Sequence, residues 1–284
     1  MANLKEIRSR ISSVSSTMKI TSAMKMVSAA KLKKAQDRMT NIKPYSSGIS
    51  TIINNLLPCV SKSEILLKSH FSTNGKHLVI AVASNRGLCG GFNANIYKET
   101  KKHIDNKSLE VFAIGKKAIE IFKRSNYSLV ETNSNILDNP QIAESKKLSQ
   151  DIISKFLNGD WERVSLIYNK FKNAATQMVV KEQLLPIEIK DESLVSNKDY
   201  IFEPDKTSII NSLVPNKIHT QLFEAILNSI AAEHGARMTA MHKATDNANE
   251  LKQDLTLSYN RQRQAAITNE ILEIVAGAEA LKGS

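Results

Sequence analysis

LKEIRSRISSVSSTMKITSAMKMVSAAKLKKAQDRM, residues 4–39, contains no proline, and its first apolar residues, Leu4, Ile7, Ile11, Val14 and Met18, recur at spacings of three and four. That is two heptads of a coiled-coil seam. Continued in register the seam meets Thr21, Lys25 and Ser28, while a neighbouring stripe of Ile20, Met24 and Val27 takes over. Leu32, Ala35, Met39, Ile42, Ile49, Ile53 and Leu56 then resume the first register. A stripe that slips and returns predicts an imperfect coiled coil whose contact face rotates along its length.

The other end of the chain has the same habit. Leu222 and Ile226 are followed by Ala232, Ala236, Ala240, Ala244 and Ala248 at spacing four, then by Leu251, Leu255, Ser258, Ala265 and Leu272. Prolines fall at 44, 58, 140, 186, 204 and 215, which leaves residues 1–43 and 216–284 without one. A helix to residue 57 would be about 85 Å long and one from about 217 to 281 roughly 100 Å, too long for a globular core. Each must bury its stripe against the other, so the two ends are expected to pair as an antiparallel coiled coil, with Pro44 bending the first helix.

Between Pro58 and Ser208 the period changes. HLVIAVAS (77–84), LEVFAIG (109–115), YSLVE (127–131), RVSLIYNKF (163–171) and LLPIEI (184–189) read as buried strands, alternating with helices at about 93–106, 116–125 and 140–158. Residues 190–208 read as a polar loop with an edge strand. The expected fold is α/β: an antiparallel coiled coil of the N- and C-terminal helices (1–57 and 209–284) with an inserted, doubly wound, Rossmann-like domain (58–208). Composition agrees. Ten Gly, six Pro and 5% aromatics in 284 residues argue for long helices and against an all-β, collagenous or disulfide-stapled chain.

Cys59 and Cys89 have no metal spacing and read as plain thiols of a reducing compartment. No apolar run approaches the ~18 residues of a membrane span, so the protein is expected to be soluble or peripheral. The Arg/Ser-rich start has the composition of an organelle transit peptide, but its apolar spacing favours a retained helix. SNRGLCGGFN, residues 84–93, sits between a strand and a helix, where a phosphate loop would lie. Its glycines are spaced GxxGG, and no acidic ribose partner ends the next strand, so a tight packing turn against a neighbouring helix is preferred. Histidines 70, 77, 103, 219, 234 and 242 form no metal pair; Asp246, Glu250 and Asp254 share a helix face but read as solvated. No catalytic, cofactor or metal residues are expected.

Charge is the informative signal. Of the net +11, residues 1–57 carry +8, residues 58–208 +4 and residues 209–284 −1. The basic N-terminal helix suits nucleic-acid phosphates, an anionic membrane surface or an acidic protein equally well. It has no aromatic before Tyr45, which argues against stacking on single-stranded bases.

The N-terminal stretch quoted above, SNRGLCGGFN, and ARMTAMHKATDNANEL with LSYNRQRQAAITNEILEIVAGAEAL near the C-terminus together resemble the gamma subunit of F-type ATP synthases. The resemblance runs through the whole chain in order, starting at residue 2, which leaves no room for a transit peptide. It implies a non-catalytic central rotor shaft inside a hexamer of alpha and beta subunits, whose foot binds epsilon and the membrane ring of c subunits. Its role would be to couple ring rotation to ATP synthesis and hydrolysis on the beta subunits, with no nucleic-acid partner and membrane association only through the complex. The implied location is the cytoplasmic face of a bacterial inner membrane, ahead of a mitochondrial one; the alternative is a basic coiled-coil module binding nucleic acid or anionic lipid.

By motif, Met24 matches the shaft position facing the acidic lever loop of beta, with Lys25, Lys31, Lys33 and Lys34 nearby. Arg237, Arg263, Gln264, Thr268 and Glu270 match positions that couple the shaft to its surrounding subunits. A helix end apolar on several faces, with Ile271, Leu272, Ile274, Val275 and Leu281, is expected to turn in a greasy collar as a bearing. Lys25 stands where many relatives have Glu, which predicts a stronger electrostatic grip on the lever. The cysteine-bearing insertion of chloroplast members is missing, so thiol control is not expected.

Overall fold

A run of apolar residues long enough for one strand and buried on both faces belongs in the middle of a parallel sheet, and HLVIAV meets that description. In the computed structural model, β1 (His77–Val82) is buried from Leu78 to Val82. The structure describes residues 4–56, 76–102, 109–125, 127–187, 203 and 205–282. Cys59, His70, His103 and the expected polar loop up to residue 202 lie outside them.

Among the described residues the remaining elements are α1 (Leu4–Leu56), α2 (Phe92–Lys102), β2 (Leu109–Ile114), α3 (Lys116–Lys123), β3 (Ser128–Asn133), α4 (Ile142–Leu157), β4 (Arg163–Phe171), β5 (Gln177–Leu185) and α5 (Lys206–Lys282). A 3-10 turn, Asn135–Leu137, follows β3. The sheet order is β3-β2-β1-β4-β5. β1 pairs in parallel with β2 and β4, β2 pairs in parallel with β3, and β5 pairs antiparallel with β4.

The fifth strand departs from the sequence expectation. It covers Gln177–Leu185 rather than 184–189 and ends before Pro186, which has no N–H to donate to a ladder. Its half-exposed QMVVKEQ portion contains too few consecutive apolar residues to read as a buried run. The turn before it is set by Asn173, whose side-chain oxygen accepts from the backbone N–H groups of Ala175 (3.0 Å) and Thr176 (2.7 Å).

Residues 28–237 form one compact unit, and residues up to 27 with those from 238 form a second. In the first, one sheet face (Ile80, Phe112, Leu166 and Leu184 among others) packs with α1, α4 and α5 in a single apolar cluster. The opposite face, through Val79, Val111 and Ile167, packs with α2 and α3. Tyr97, Phe122 and Tyr127 close that side with ring centroids 5.9 to 6.4 Å apart. Helix α5 is buried on every side from Ala225 to Ala232, as a helix threaded through a core must be. It starts at Lys206, earlier than the expected 217, and Pro215 lies inside it.

In the second unit α1 and α5 run antiparallel. Thr21 Oγ1 lies 2.8 Å from Thr245 Oγ1, and Lys25 Nζ lies 3.4 Å from His242 Nδ1. Stepping forward four residues on one helix and back three on the other fixes direction and register. The expected slip of the seam does not occur. Ile20 and Val27 are 60% and 56% exposed, whereas Thr21 is buried and Lys25 half-buried, so the first register continues through polar residues. Straight pairing over this length outweighs the preference of two apolar side chains for burial, because following them would rotate the whole face away from α5.

Candidate functional site

The loop after β1 lies at the carboxyl end of the sheet, beside the β1/β4 junction where the strand order reverses. In open α/β sheets that crevice receives ligands. Here the chain fills it with its own helix. Cys89 and Phe92 pack with Ala232 of α5, with Phe171 and Ala236 at the edge. The Arg237 guanidinium reaches the carbonyl oxygens of Gly87 (Nε 3.3 Å, Nη2 3.2 Å) and Arg86 (Nη2 3.0 Å), and pairs with Glu233 at 2.7 Å. A phosphate cradle offers N–H groups to an anion; these two carbonyls point at a cation. The loop is thus a packing turn against a helix, with the wrong polarity for a nucleotide.

Ser84 to Asn93 is held by its own side chains. The Ser84 N–H donates to Asn93 Oδ1 (3.0 Å), the Ser84 hydroxyl to the Arg86 carbonyl (2.7 Å), and Asn93 Nδ2 to Cys89 Sγ (3.3 Å). Asn85 ties the loop sideways, donating to the Ser134 carbonyl (2.8 Å) and accepting from the Lys116 N–H (3.1 Å). At the tip Leu88 takes a left-handed φ of 61°. A leucine tolerates that conformation only where the surroundings over-determine it, which this network does.

Electrostatics follow burial. Burial first, then the charges of Arg237 and Lys31, lowers His234 from its ordinary 6.5 to about 4, so the ring is neutral and its Nδ1 can accept from Arg237 Nη1 at 3.4 Å. Burial pushes the Glu233 carboxyl up, against the pull of Arg237 and Lys31. The Cys89 thiol is raised by burial and is a packing group rather than a nucleophile. Sequence reading singled out neither Glu233 nor the role of His234; the i,i+4 spacing of Glu233 to Arg237 was the available signal.

The other expected site residues are spread along the two helices. Met24 is half-buried, and Lys25 faces His242, which is also 3.3 Å from Asp246. Lys31, Lys33 and Lys34 are exposed, with Lys33 3.2 Å from Asp37. Arg237, expected at a partner surface, is buried, and its guanidinium is engaged by this chain's own loop.

Arg263, Gln264, Thr268, Glu270, Ile271, Leu272, Ile274 and Val275 lie where α5 is exposed on all sides, from residue 263 to 278. The reason is register. With Thr21 opposite Thr245, the start of α1 at Leu4 lies opposite residue 262, and α5 continues alone. The Leu281 side chain lies outside the described residues. Among them no group of three His, Cys, Asp or Glu could hold a metal, and no helix is long and apolar enough to cross a membrane.

A family model described as ATP synthase matches residues 3–281. The chain is 52% identical over 290 aligned residues to the ATP synthase gamma chain of Flavobacterium psychrophilum, covering 100% of both chains. It is 41% identical over 298 aligned residues to that of Geotalea daltonii, again with 100% of both covered. The fold is similar to a chain of the Euglena gracilis mitochondrial ATP synthase, in an OSCP/F1/c-ring structure. The TM-score is 0.72 at 19% identity over 98% of this chain and 94% of that one. A chain from the central stalk and c-ring of the Tetrahymena thermophila mitochondrial enzyme gives a TM-score of 0.61 at 24% identity, over 79% and 99%.

Proposed function

The chain belongs to the ATP synthase gamma-chain family, and from that premise we propose how its residues serve a rotor. It is a non-catalytic subunit, a part of the central stalk of an F-type ATP synthase. The observation that carries the reading is the full-length match at 52% identity, joined to the antiparallel pairing of the two chain ends at Thr21 and Thr245.

The pair of helices is the shaft, standing in a hexamer of alpha and beta subunits, and the α/β body meets epsilon and the c-ring. The assembly lies on the cytoplasmic face of a bacterial membrane and touches the membrane only through the complex. A shaft acts on its surroundings only through contacts that differ with angle, since an effector with equal affinity for two states shifts neither. The described surface has such asymmetry: exposed Ile20 and Val27 lie on α1 with Lys31, Lys33 and Lys34 further along it, while α5 presents Asp246, Asn247, Asn249, Glu250 and Asp254. Met24 and Lys25 grip the acidic lever of beta. Arg263, Gln264, Thr268 and Glu270 meet the surrounding subunits higher up, and the unpaired end with Ile271, Leu272, Ile274, Val275 and Leu281 turns as a bearing.

The test is co-purification of this chain with alpha and beta partners, followed by ATP hydrolysis with and without it. Incorporation at one copy per hexamer, with hydrolysis that depends on it, is expected. A chain that fails to join the hexamer sinks the reading.

A further inference from the structure

Apolar burial holds a helix in a core but has no direction, so it resists withdrawal of the helix better than rotation about its axis. Around α5 the stretch from Ala225 to Ala232 is mostly of this kind, with Asn228 bonding back to the Glu224 carbonyl of its own helix. In the turn before it Gln221 donates to Glu182 and the Gln183 carbonyl, and Glu224 accepts from Ser46. The turn after Ala232 is different. Arg237 projects a long side chain from the helix and forks onto the carbonyls of Arg86 and Gly87, with Glu233 bracing the guanidinium from one turn below. The carbonyls do not yield, because Ser84, Asn85 and Asn93 pin their loop to β3 and α3.

A second grip lies close by. A Cβ on Gly235 would stand 3.3 Å from the Ala174 carbonyl and 3.3 Å from Phe171 Cε2, so the helix backbone is seated against the β4–β5 turn. Arg237 is also the last residue of α5 that belongs to the compact unit.

We propose that Arg237, braced by Glu233 and received by the Arg86 and Gly87 carbonyls, is an angular key: a positioning residue that fixes the rotational setting of α5 within the α/β body. Directional, charge-assisted bonds at the end of a long arm oppose turning about the helix axis in a way that apolar contacts cannot. The role rests on the rotor reading, since only a rotor loads this joint in torsion.

Two measurements test it. In the full-length chain, Arg237→Lys keeps a cation beside Glu233 but cannot fork onto two carbonyls. Amide exchange of Ser84 and Phe92 should accelerate about tenfold, the effect of losing roughly one charge-assisted hydrogen bond, while β1 and β4 exchange as before. Unchanged loop exchange overturns the key.

In the assembled complex, a rotation probe is attached to the α/β body at Lys98→Cys, on the exposed face of α2. Pauses during ATP hydrolysis should spread over a wider angle with Arg237→Lys than without it. Faster loop exchange with an unchanged spread reduces Arg237 to a fold stabiliser and refutes the positioning role. A wild-type chain that does not join the hexamer instead defeats the rotor reading, and is seen before any variant is made.

Discussion

His234 makes this chain sensitive to acid, and the size of the effect follows from its surroundings. Its ring faces the guanidinium of Arg237 and the ammonium of Lys31, with the Glu233 carboxylate on the preceding residue, and burial with the two cations holds it at about 4 against 6.5. Between those values the unfolded chain binds a proton that the folded chain refuses. Stability contributed by the neutral ring is therefore full above about pH 6.5, falls as pH drops through that window, and reaches its floor near pH 4.

At about 1.4 kcal/mol per pH unit the gap is worth about 3 kcal/mol, or about 2 once the solvent reaching a half-buried ring is allowed for. The assay is denaturant unfolding of the full chain between about pH 7 and pH 4. It is followed by fluorescence of Trp161, the sole tryptophan, which lies buried in the α/β body. His234→Gln, which cannot take up the proton, removes this part of the pH dependence. Wild type should lose about 2 kcal/mol more than the variant across the window. Parallel pH profiles for the two proteins would show that the ring is not held neutral, and would refute the reasoning.

Gly115→Ala places a Cβ 2.7 Å from the Ala83 carbonyl oxygen at a φ of 104°, so a loss of about 2 kcal/mol or more is expected in thermal unfolding; an unchanged melting temperature contradicts it. Trp161→Phe removes the Nε1–H donor 2.7 Å from Glu110 and should cost about 1 to 2 kcal/mol by circular dichroism. Burial tends to raise the Glu110 carboxyl, but hydrogen bonds from Lys76 and Trp161 outweigh it and hold it below 4.5. The stability it contributes is present above that value and fades as pH falls through the lower folded one, less so in the variant. Lys25→Glu in the complex should flatten the salt dependence of ATP hydrolysis; an unaltered dependence removes Lys25 from the lever contact.

The buried parallel strands could be read from sequence, because a run such as LVIAV admits few other homes, and so could the alanine row of α5. The edge strand could not: QMVVKEQ is half solvated and looks like a loop. Hydropathy alone hands the seam to Ile20 and Val27, yet both are exposed on α1, since pairing is decided by the whole length of two helices rather than by one turn. The crevice filling by Arg237 was out of reach as well. Nothing local to SNRGLCGGFN states that a residue some 150 positions later will supply the cation its carbonyls need.

The closeness of Thr21 to Thr245 also bears on the making of the protein, for the two are 224 residues apart. At about 5 to 20 residues per second, a ribosome that has released the first of these segments needs about 10 to 45 seconds to finish the second. During that interval Ile7 and the half-buried residues that follow it have no α5 to lie against, while the strands of the sheet, whose contacts are nearer in sequence, can pair first. The chain thus has a built-in order of assembly in which the first part synthesised is among the last to find its place. The net positive charge of that segment, with Lys5, Arg8, Arg10, Lys19 and Lys25 against Glu6, repels other copies of itself in the meantime and protects it while it waits.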